Sequence, residues 1–223
     1  MNKKLIIFGI GPLAKTVFSL LQDIDTFEVG YFMVDDDFYD ETTPCLYGKQ
    51  ILKKSMLLTD SNLIEEYNFL SCVGYKNMRN RKKVFDDLSQ MGCQFINLIH
   101  PSAVVVGTPT IGTNNIVFPS CVIENDVKIG NNNLFWTQAI VGHNIKIGNH
   151  NFFAAHVTLA GNCNIGDLSF LGVASFTINN LMIRDETFLV AGSGLFTNTK
   201  KYAKYWGNPA KKIESHEATG IMI

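Results

Sequence analysis

From Val105 to Leu195, every sixth residue is apolar at fifteen of sixteen consecutive positions, and no insertion breaks the count. The series opens Val105, Ile111, Val117, Ile123, Ile129, Phe135 and closes Ile183, Leu189, Leu195, with Thr177 as the exception. Neither the two-residue period of a strand nor the 3.6-residue period of a helix generates such a pattern. A six-residue repeat is the mark of a β-solenoid. Inside it lies a period of eighteen: Gly112, Gly130, Gly148 and Gly166 each follow an Ile. Sorted by eighteen, the apolar residues form three columns. One is all Ile (Ile111, Ile129, Ile147, Ile165, Ile183), the second runs Val117, Phe135, Phe153, Leu171, Leu189, and the third runs Val105, Ile123, Val141, Leu159, Thr177, Leu195. The spacing predicts a triangular prism in which three six-residue sides make one coil. Like residues then stack in a core that no single coil could bury.

Residues 105–198 hold fourteen Asn, among them Asn131, Asn132, Asn133, Asn149 and Asn151. Together with the repeated Gly they read as corner residues, because tight corners need a positive φ that Gly and Asn tolerate best. The fifth place of the hexad is usually small or slim (Ala103, Cys121, Ala139, Val157, Cys163, Ser169, Ser175, Ser193), which makes Cys121 and Cys163 packing residues. Taken alone, the repeat also fits a purely structural rod.

The first ninety-odd residues follow another rule. Lys4–Phe8 is an apolar run ending in Gly9-Ile10-Gly11-Pro12-Leu13-Ala14, with a helical pattern after it. A second strand, Phe27–Val34, is closed by Asp35-Asp36-Asp37. A third, Asn68–Val73, leads to Gly74-Tyr75-Lys76-Asn77. A helix then covers residues 78–91, and Phe95–Ile99 forms a last strand before His100-Pro101. Strands alternating with helices imply a small parallel α/β sheet. Glycines at a strand–helix turn let a phosphate approach free N–H groups at the helix start. Asp35, twenty-four residues past Gly11, stands where a dinucleotide fold places its ribose-binding acid. Only one mononucleotide half fits in this length, so a single nucleotide-bearing ligand suits it better than NAD. Glycines that merely let helix and sheet pack are the alternative. The expected organisation is therefore an α/β Rossmann-like half domain over 1–98, an all-β parallel β-helix over 99–198, and a C-terminal cap over 199–223.

Composition removes several function classes. Nineteen Lys plus Arg against twenty Asp plus Glu leave a net charge of -1, without the basic footprint a nucleic-acid binder needs. No apolar run is long enough to span a bilayer, and Gly9, Gly11 and Pro12 cut the N-terminal apolar stretch too short for a signal peptide. Five cysteines without a C-x-x-C pair (Cys45, Cys72, Cys93, Cys121, Cys163) point to buried thiols in a reducing, cytoplasmic setting.

The N-terminal IIFGIGPLAK, the VDDD after the second strand, GYKNMRNR, INLIHPSAVV at the junction, the hexads and the closing WGNPAKKI together resemble a known family. It is the sugar O-/N-acyltransferases of the left-handed β-helix (hexapeptide) superfamily, the group with sialic-acid O-acetyltransferase and nucleotide-aminosugar N-acetyltransferases. The likeness covers almost the whole chain. It implies a left-handed coil, a homotrimer with active sites between neighbouring prisms, acetyl-CoA lying along the prism, and a nucleotide-linked sugar held by the N-terminal domain for surface polysaccharide or glycan synthesis. The family's first loop often carries a Gly-His pair where this chain has Pro12 and Leu13. The substrate-binding candidates are accordingly Gly9, Gly11, Pro12, Leu13, Asp35, Asp36, Tyr75 and Lys76.

Acyl transfer from a thioester requires a group to take the acceptor's proton, a task suited to His near neutral pH. His143, in IVGHNIKIG, matches the family's catalytic His. The repeat supplies a separate reason: Asn125 lies one coil below it and Gly161 one coil above, so the wall over the imidazole has no side chain. Asn144 follows where the family often has an acid. An amide can orient the ring but cannot stabilise imidazolium, which favours an amine acceptor over a hydroxyl. No Cys or Ser is marked as a nucleophile, so transfer is expected to be direct, in a ternary complex. His156, Gly161, Gly172, Ala191, Gly192 and Lys211 are the acetyl-CoA candidates, and Lys200, Lys201, Lys204 and Lys212 add positive charge near Lys211. His150 reads as a solvated corner residue, His100 as a turn cap, and His216 as part of the tail. A zinc enzyme on the same prism is disfavoured. His150 and His156 fall on equivalent positions of adjacent sides and point different ways.

Overall fold

The computed structural model describes residues 3–24 and 26–223. The chain divides into two compact units, residues 1–74 with 83–96, and residues 75–82 with 97–223. The segment Tyr75–Lys82, counted with the first domain in the sequence reading, thus groups with the second unit.

The first unit is built on β1 (Lys3–Phe8), α1 (Pro12–Gln22), β2 (Phe27–Val34), the short β3 (Cys45–Leu46), β4 (Lys49–Lys53), α2 (Asn62–Glu66) and β5 (Asn68–Ser71). Its sheet order is β3-β4-β2-β1-β5, parallel except for the β3–β4 hairpin. That hairpin lies outside the strands expected from the hydrophobic pattern. Its signal is the two-residue Tyr47-Gly48 turn, both residues at positive φ (51° and 73°). Helix α1 starts on Pro12, whose missing N–H and fixed φ suit a first helical position, and it buries Leu13, Ala14, Val17, Phe18 and Leu21 along one stripe. Ile6, Phe8, Met33, Leu52, Leu57 and Phe69 form the core with Val84 and Leu88. The last two belong to α3 (Met78–Gln90), whose first turns are counted in the second unit.

The strand expected over Phe95–Ile99 is split. Phe95 makes one parallel bridge with Phe69, and Ile96 donates its N–H to the Phe69 carbonyl. Leu98–Ile99, strand β6, pairs instead with Ile116–Val117. The reason lies in the repeat: Ile99 stands six residues before Val105 and is already in the hexad frame.

From β6 onward a two-residue strand begins every six residues, from β7 (Val104–Val105) to β22 (Gly194–Leu195), and each pairs in parallel with the strand eighteen residues away. Three sheets result. The first face carries Leu98, Ile116, Leu134, Phe152, Phe170 and Phe188; the second carries Val104, Val122, Ile140, Thr158, Phe176 and Gly194; the third carries Thr110, Lys128, Lys146, Asn164 and Met182. The apolar columns point inward, and Phe135 stacks on Phe153 at 4.8 Å. The one polar member, Thr177, is also buried. Its hydroxyl accepts the Ala160 N–H at 3.1 Å, standing in for a ladder carbonyl.

Corners form where the fourth place of each hexad takes positive φ, from Asn114 through Ser120, Asp126 and onward to Glu186. The occupants include Gln138, Leu168 and Ala174 as well as five Asn, and none is β-branched. Two sequence expectations are corrected here. Gly112, Gly130, Gly148 and Gly166 do not have positive φ. They are glycine because a Cβ would lie 2.6–2.8 Å from the next coil's backbone carbonyl, or at Gly166 2.8 Å from the Asp185 backbone nitrogen. Asn131 and Asn149 do not have positive φ, and Asn115, Asn133 and Asn151 are not corners either. The last three form a buried amide ladder that begins at Asn97: each Oδ1 accepts the backbone N–H eighteen residues on, and each Nδ2 donates to a glycine carbonyl fifteen residues on.

The last coil is closed by the tail. Strand β23 (Ala203–Gly207) adds in parallel to Phe188–Leu189, and β24 (Ala210–Ser215) folds back on it. On the third face, Asn198 Oδ1 and Thr199 Oγ1 accept the N–H groups of Met182 and Arg184, replacing a missing coil. Such end groups need partners because an open ladder exposes unpaired backbone. Four of the cysteines are buried as expected, but Cys45 is exposed. Among the described residues no helix is long and apolar enough to cross a membrane.

The amide ladder carries a measurable share of stability. Asn133→Ala would strand the Asn151 N–H and the Gly148 carbonyl, each at about 1–3 kcal/mol. Thermal or urea unfolding should therefore show a loss of about 3 kcal/mol, whereas Asn125→Ala, at an exposed position, should change little.

Candidate active site

The prism places its three repeat-domain histidines at three different corners. His150 lies between the third and first faces, His156 between the first and second, and His143 between the second and third. Among the described residues no three His, Cys, Asp or Glu side chains gather as a metal site would require.

His143 is exposed, and its carbonyl accepts the Asn162 N–H at 2.9 Å. Its ring lies against Gly161 of the coil above: a Cβ built on Gly161 would sit 2.6 Å from both Cε1 and Nε2 of the imidazole. Gly161 is buried, and the imidazole occupies the space that a side chain there would fill. The Gly161 N–H falls at a place in the hexad where the ladder supplies no acceptor, and it donates to none among the described residues. Asn144 is the corner residue itself, at φ 58°, with its N–H on the Asn125 carbonyl at 3.1 Å. Its side chain points into solvent from an exposed position and makes no hydrogen bond to the His143 ring within the chain.

His156 is exposed at the other edge of the second face, at φ 59°. Ala174 and Gly192 follow it upward in the same corner column, with Ala191 next to Gly192 at the surface. Gly172 is buried beneath them, where a Cβ would come 2.5 Å from the Ala191 backbone nitrogen. The acetyl-CoA candidates therefore fall into two groups. Gly161 lies beside His143, while His156, Gly172, Ala191 and Gly192 line the opposite edge of the same face. Lys211 is exposed on β24, opposite Trp206. Of the lysines around it, Lys201 is paired with Asp185 at 2.7 Å and Lys204 with Glu214 at 3.3 Å.

The second face itself is apolar and open. Val104, Ile140 and, beside them, Val106, Ile178 and Phe196 are 38–54% exposed. The first face differs. Ile116, Leu134, Phe152 and Phe170 are buried there, with the Tyr75 ring 4.6 Å from Phe152. Tyr75, expected as a ligand contact at a strand end, packs one ring edge on Phe152 and Phe170 and is still 39% exposed. Lys76 is exposed, and its carbonyl accepts the Ile223 N–H.

The same segment corrects the reading of His150, which is buried rather than solvated. Its Nδ1 is 3.0 Å from Asn132 Nδ2, and the Asn132 carbonyl accepts from buried Arg81. Arg79 grips Glu186 with Nε at 3.0 and 3.1 Å and holds the carbonyls of Glu217 and Ala218. These two arginines of GYKNMRNR tie the segment to the corner, a role the motif's spacing did not reveal. His216 is likewise buried, its Nε2 donating to the Glu186 carbonyl at 2.8 Å. His100 caps its turn, its Nδ1 accepting the Ser102 N–H.

In the first unit, Gly9 has φ 113°, and a Cβ there would lie 3.2 Å from the Cys72 carbonyl, so close strand packing explains it. Gly11 faces open space at the start of α1. Pro12 is exposed, but Leu13 is a core residue whose side chain is unavailable to a ligand. Asp35 forms an ion pair with Lys54, which also lies 3.8 Å from Asp87. Asp36 accepts the Ser55 N–H at 3.0 Å, and hydrogen bonds from Ser55 hold its carboxyl below the usual range. Lys54 is thus the partner of Asp35, a pairing that no spacing in the sequence announces.

With this geometry in view, three comparisons are informative. Residues 126–161 match the family model for the bacterial transferase hexapeptide (six repeats). No curated protein matches the sequence. Among solved structures, PerB from Caulobacter crescentus, in complex with CoA and GDP-perosamine, has 25% identity and TM-score 0.83, covering 95% of this chain and 97% of that one. The acetyltransferase domain of PglB from Neisseria gonorrhoeae has 24% identity and TM-score 0.83, with 95% and 100% covered. WeeI from Acinetobacter baumannii has 19% identity and TM-score 0.80, with 94% and 99% covered. The fold is that of the left-handed parallel β-helix acetyltransferases preceded by a small α/β unit. The resemblance to hexapeptide-repeat sugar acyltransferases stands.

Gly161→Ala should displace the imidazole without disturbing the coil. Two-dimensional NMR of histidine-labelled protein should show the His143 ring signal shifted and the other imidazole signals in place. A ring signal unchanged by the added methyl would contradict the contact.

Proposed function

We propose that this hexapeptide-repeat protein is an acetyl-CoA-dependent N-acetyltransferase acting on a nucleotide-linked aminosugar, with His143 as its general base. The observation that carries this is the exposed imidazole of His143, seated on the side-chain-free backbone of Gly161 at the edge of an open apolar face. Support for the substrate class comes from PerB, whose solved complex holds CoA and GDP-perosamine.

The sugar amine attacks the thioester carbonyl, forming the C–N bond and a tetrahedral oxyanion. Collapse of that intermediate breaks the C–S bond. The amine proton passes to Nε2 of His143 and from there to the departing CoA sulfur, so the enzyme returns to its starting state. The Gly161 N–H is the donor on offer for the oxyanion. Asn144 cannot stabilise imidazolium as a carboxylate would, and an amine, once deprotonated, requires less help than a hydroxyl. Transfer is direct in this reading: Cys121 and Cys163 of the prism are buried, and exposed Cys45 lies on the β3–β4 hairpin of the first unit.

A homotrimer completes the site. His143 and the His156–Gly192 edge border one exposed apolar face but lie at its opposite sides. A closed ring of three prisms, joined through that face, would set the His143 corner of one copy against the His156 corner of the next.

The test is CoA-thiol release from acetyl-CoA with a panel of nucleotide-linked aminosugars and their hydroxyl counterparts. Aminosugars should react and the hydroxyl sugars should not. His143→Ala and His143→Asn should each lower kcat by about 10²–10⁴-fold while light scattering still reports a trimer. Full activity in either variant would remove His143 from the mechanism.

A further inference from the structure

We infer that the sugar-bearing nucleotide is a guanine nucleotide, and that its base is seated in a groove of the first unit between Tyr39, Ile51 and Met56. This rests on the nucleotide-sugar reading above and adds to it the identity of the base.

Position comes first. Strands β2 and β4 are parallel, with Val34 opposite Lys53, so both leave the sheet at the same edge. There the Asp36 carboxylate takes the Ser55 N–H and pins the two exits together. In open α/β sheets ligands bind outside the carboxyl ends of the strands, and the acid after the second strand meets the ribose. A base attached to a ribose at Asp35 therefore falls just beyond it. A groove of about 410 Å³ exists in the second unit, but the one at this strand edge is about 370 Å³ and is lined by Tyr39, Glu41, Gln50, Ile51, Lys53 and Met56.

Chemistry then selects the base. Tyr39 offers a ring face for stacking, and Ile51 and Met56 supply apolar wall. The rim carries one acceptor and one donor side by side: Glu41 Oε1 lies 3.8 Å from Lys53 Nζ, which sits 4.8 Å from the Tyr39 ring centre. Guanine presents two adjacent donors, the N1–H and the 2-amino group, next to two acceptors, O6 and N7. A carboxylate can take both donors while an ammonium gives to O6 or N7. Uracil and thymine flank a single N–H with two carbonyl oxygens, so a carboxylate there meets repulsion. Adenine offers one amino donor beside an acceptor, which meets the ammonium but leaves the second carboxylate oxygen without a donor. A site whose charged groups are left unmatched discriminates strongly, because the unpaired partner is costly. The Glu41–Lys53 ion pair gives way readily to a base, since exposed pairs of this kind are worth only about 0–1 kcal/mol.

Isothermal titration of the full chain with GDP, UDP, dTDP and ADP tests the assignment, with acetyl-CoA titrated in parallel. GDP should bind at least about ten-fold tighter than the other three. Glu41→Gln, at an exposed position that folding does not depend on, should erase most of that advantage while acetyl-CoA affinity stays at the parent value. Tyr39→Ala should weaken all four nucleotides and preserve their rank. Tightest binding by UDP, dTDP or ADP, or a GDP advantage that survives Glu41→Gln, would overturn the guanine assignment and leave acetyl transfer to a nucleotide-sugar intact. Binding of acetyl-CoA but of none of the four nucleotides would remove the nucleotide-sugar reading together with it.

Discussion

The eighteen-residue register between coils is the constraint on which the prism depends. Each strand of the coils, from β6 to β22, is only two residues long, so none could persist by its own pairing, and stability comes from stacking coil upon coil. The backbone ladder satisfies the strands. The corners, where the chain turns, would leave N–H and C=O groups buried without partners. The amide ladder from Asn97 through Asn151 meets that need, because one amide both donates and accepts across the same spacing. A register slip of one residue would break ladder, core columns and corner φ values together.

The candidate site follows from that register. His143 is placed over Asn125 and under Gly161 by nothing more than position in the repeat, and the corner at Asn144 turns it outward. The face it borders stays apolar and open, while the first face is covered by Tyr75 and its neighbours. One prism thus carries His143 and the His156–Gly192 edge at opposite sides of the same open face.

Much of this could be read in the sequence, for identifiable reasons. Hexads, core columns and the Gly161–His143 relation are periodic, and a period is visible without coordinates. The misreadings share a cause. Asn133 and Asn132 are neighbours of the same residue type, yet one is an amide rung at the wall and the other a positive-φ corner, and composition cannot separate them. Gly130 is a steric requirement imposed by Gly148 and Asn149 of the next coil, not a requirement of its own φ. His150 and His156 fall at equivalent hexad places, but only the first corner is covered by the segment carrying Arg79 and Arg81.

The sequence by itself determined the coil, its three-sided section, the alignment of residues eighteen apart, and the presence of a separate α/β unit, because each of these is a matter of spacing along one chain. Tertiary structure decided which corners are buried, that Leu98–Ile99 joins the prism, that Lys54 holds Asp35, and which face remains open. These depend on contacts between segments far apart in the chain, such as Arg79 with Glu186, and distance through space is not encoded in any local period.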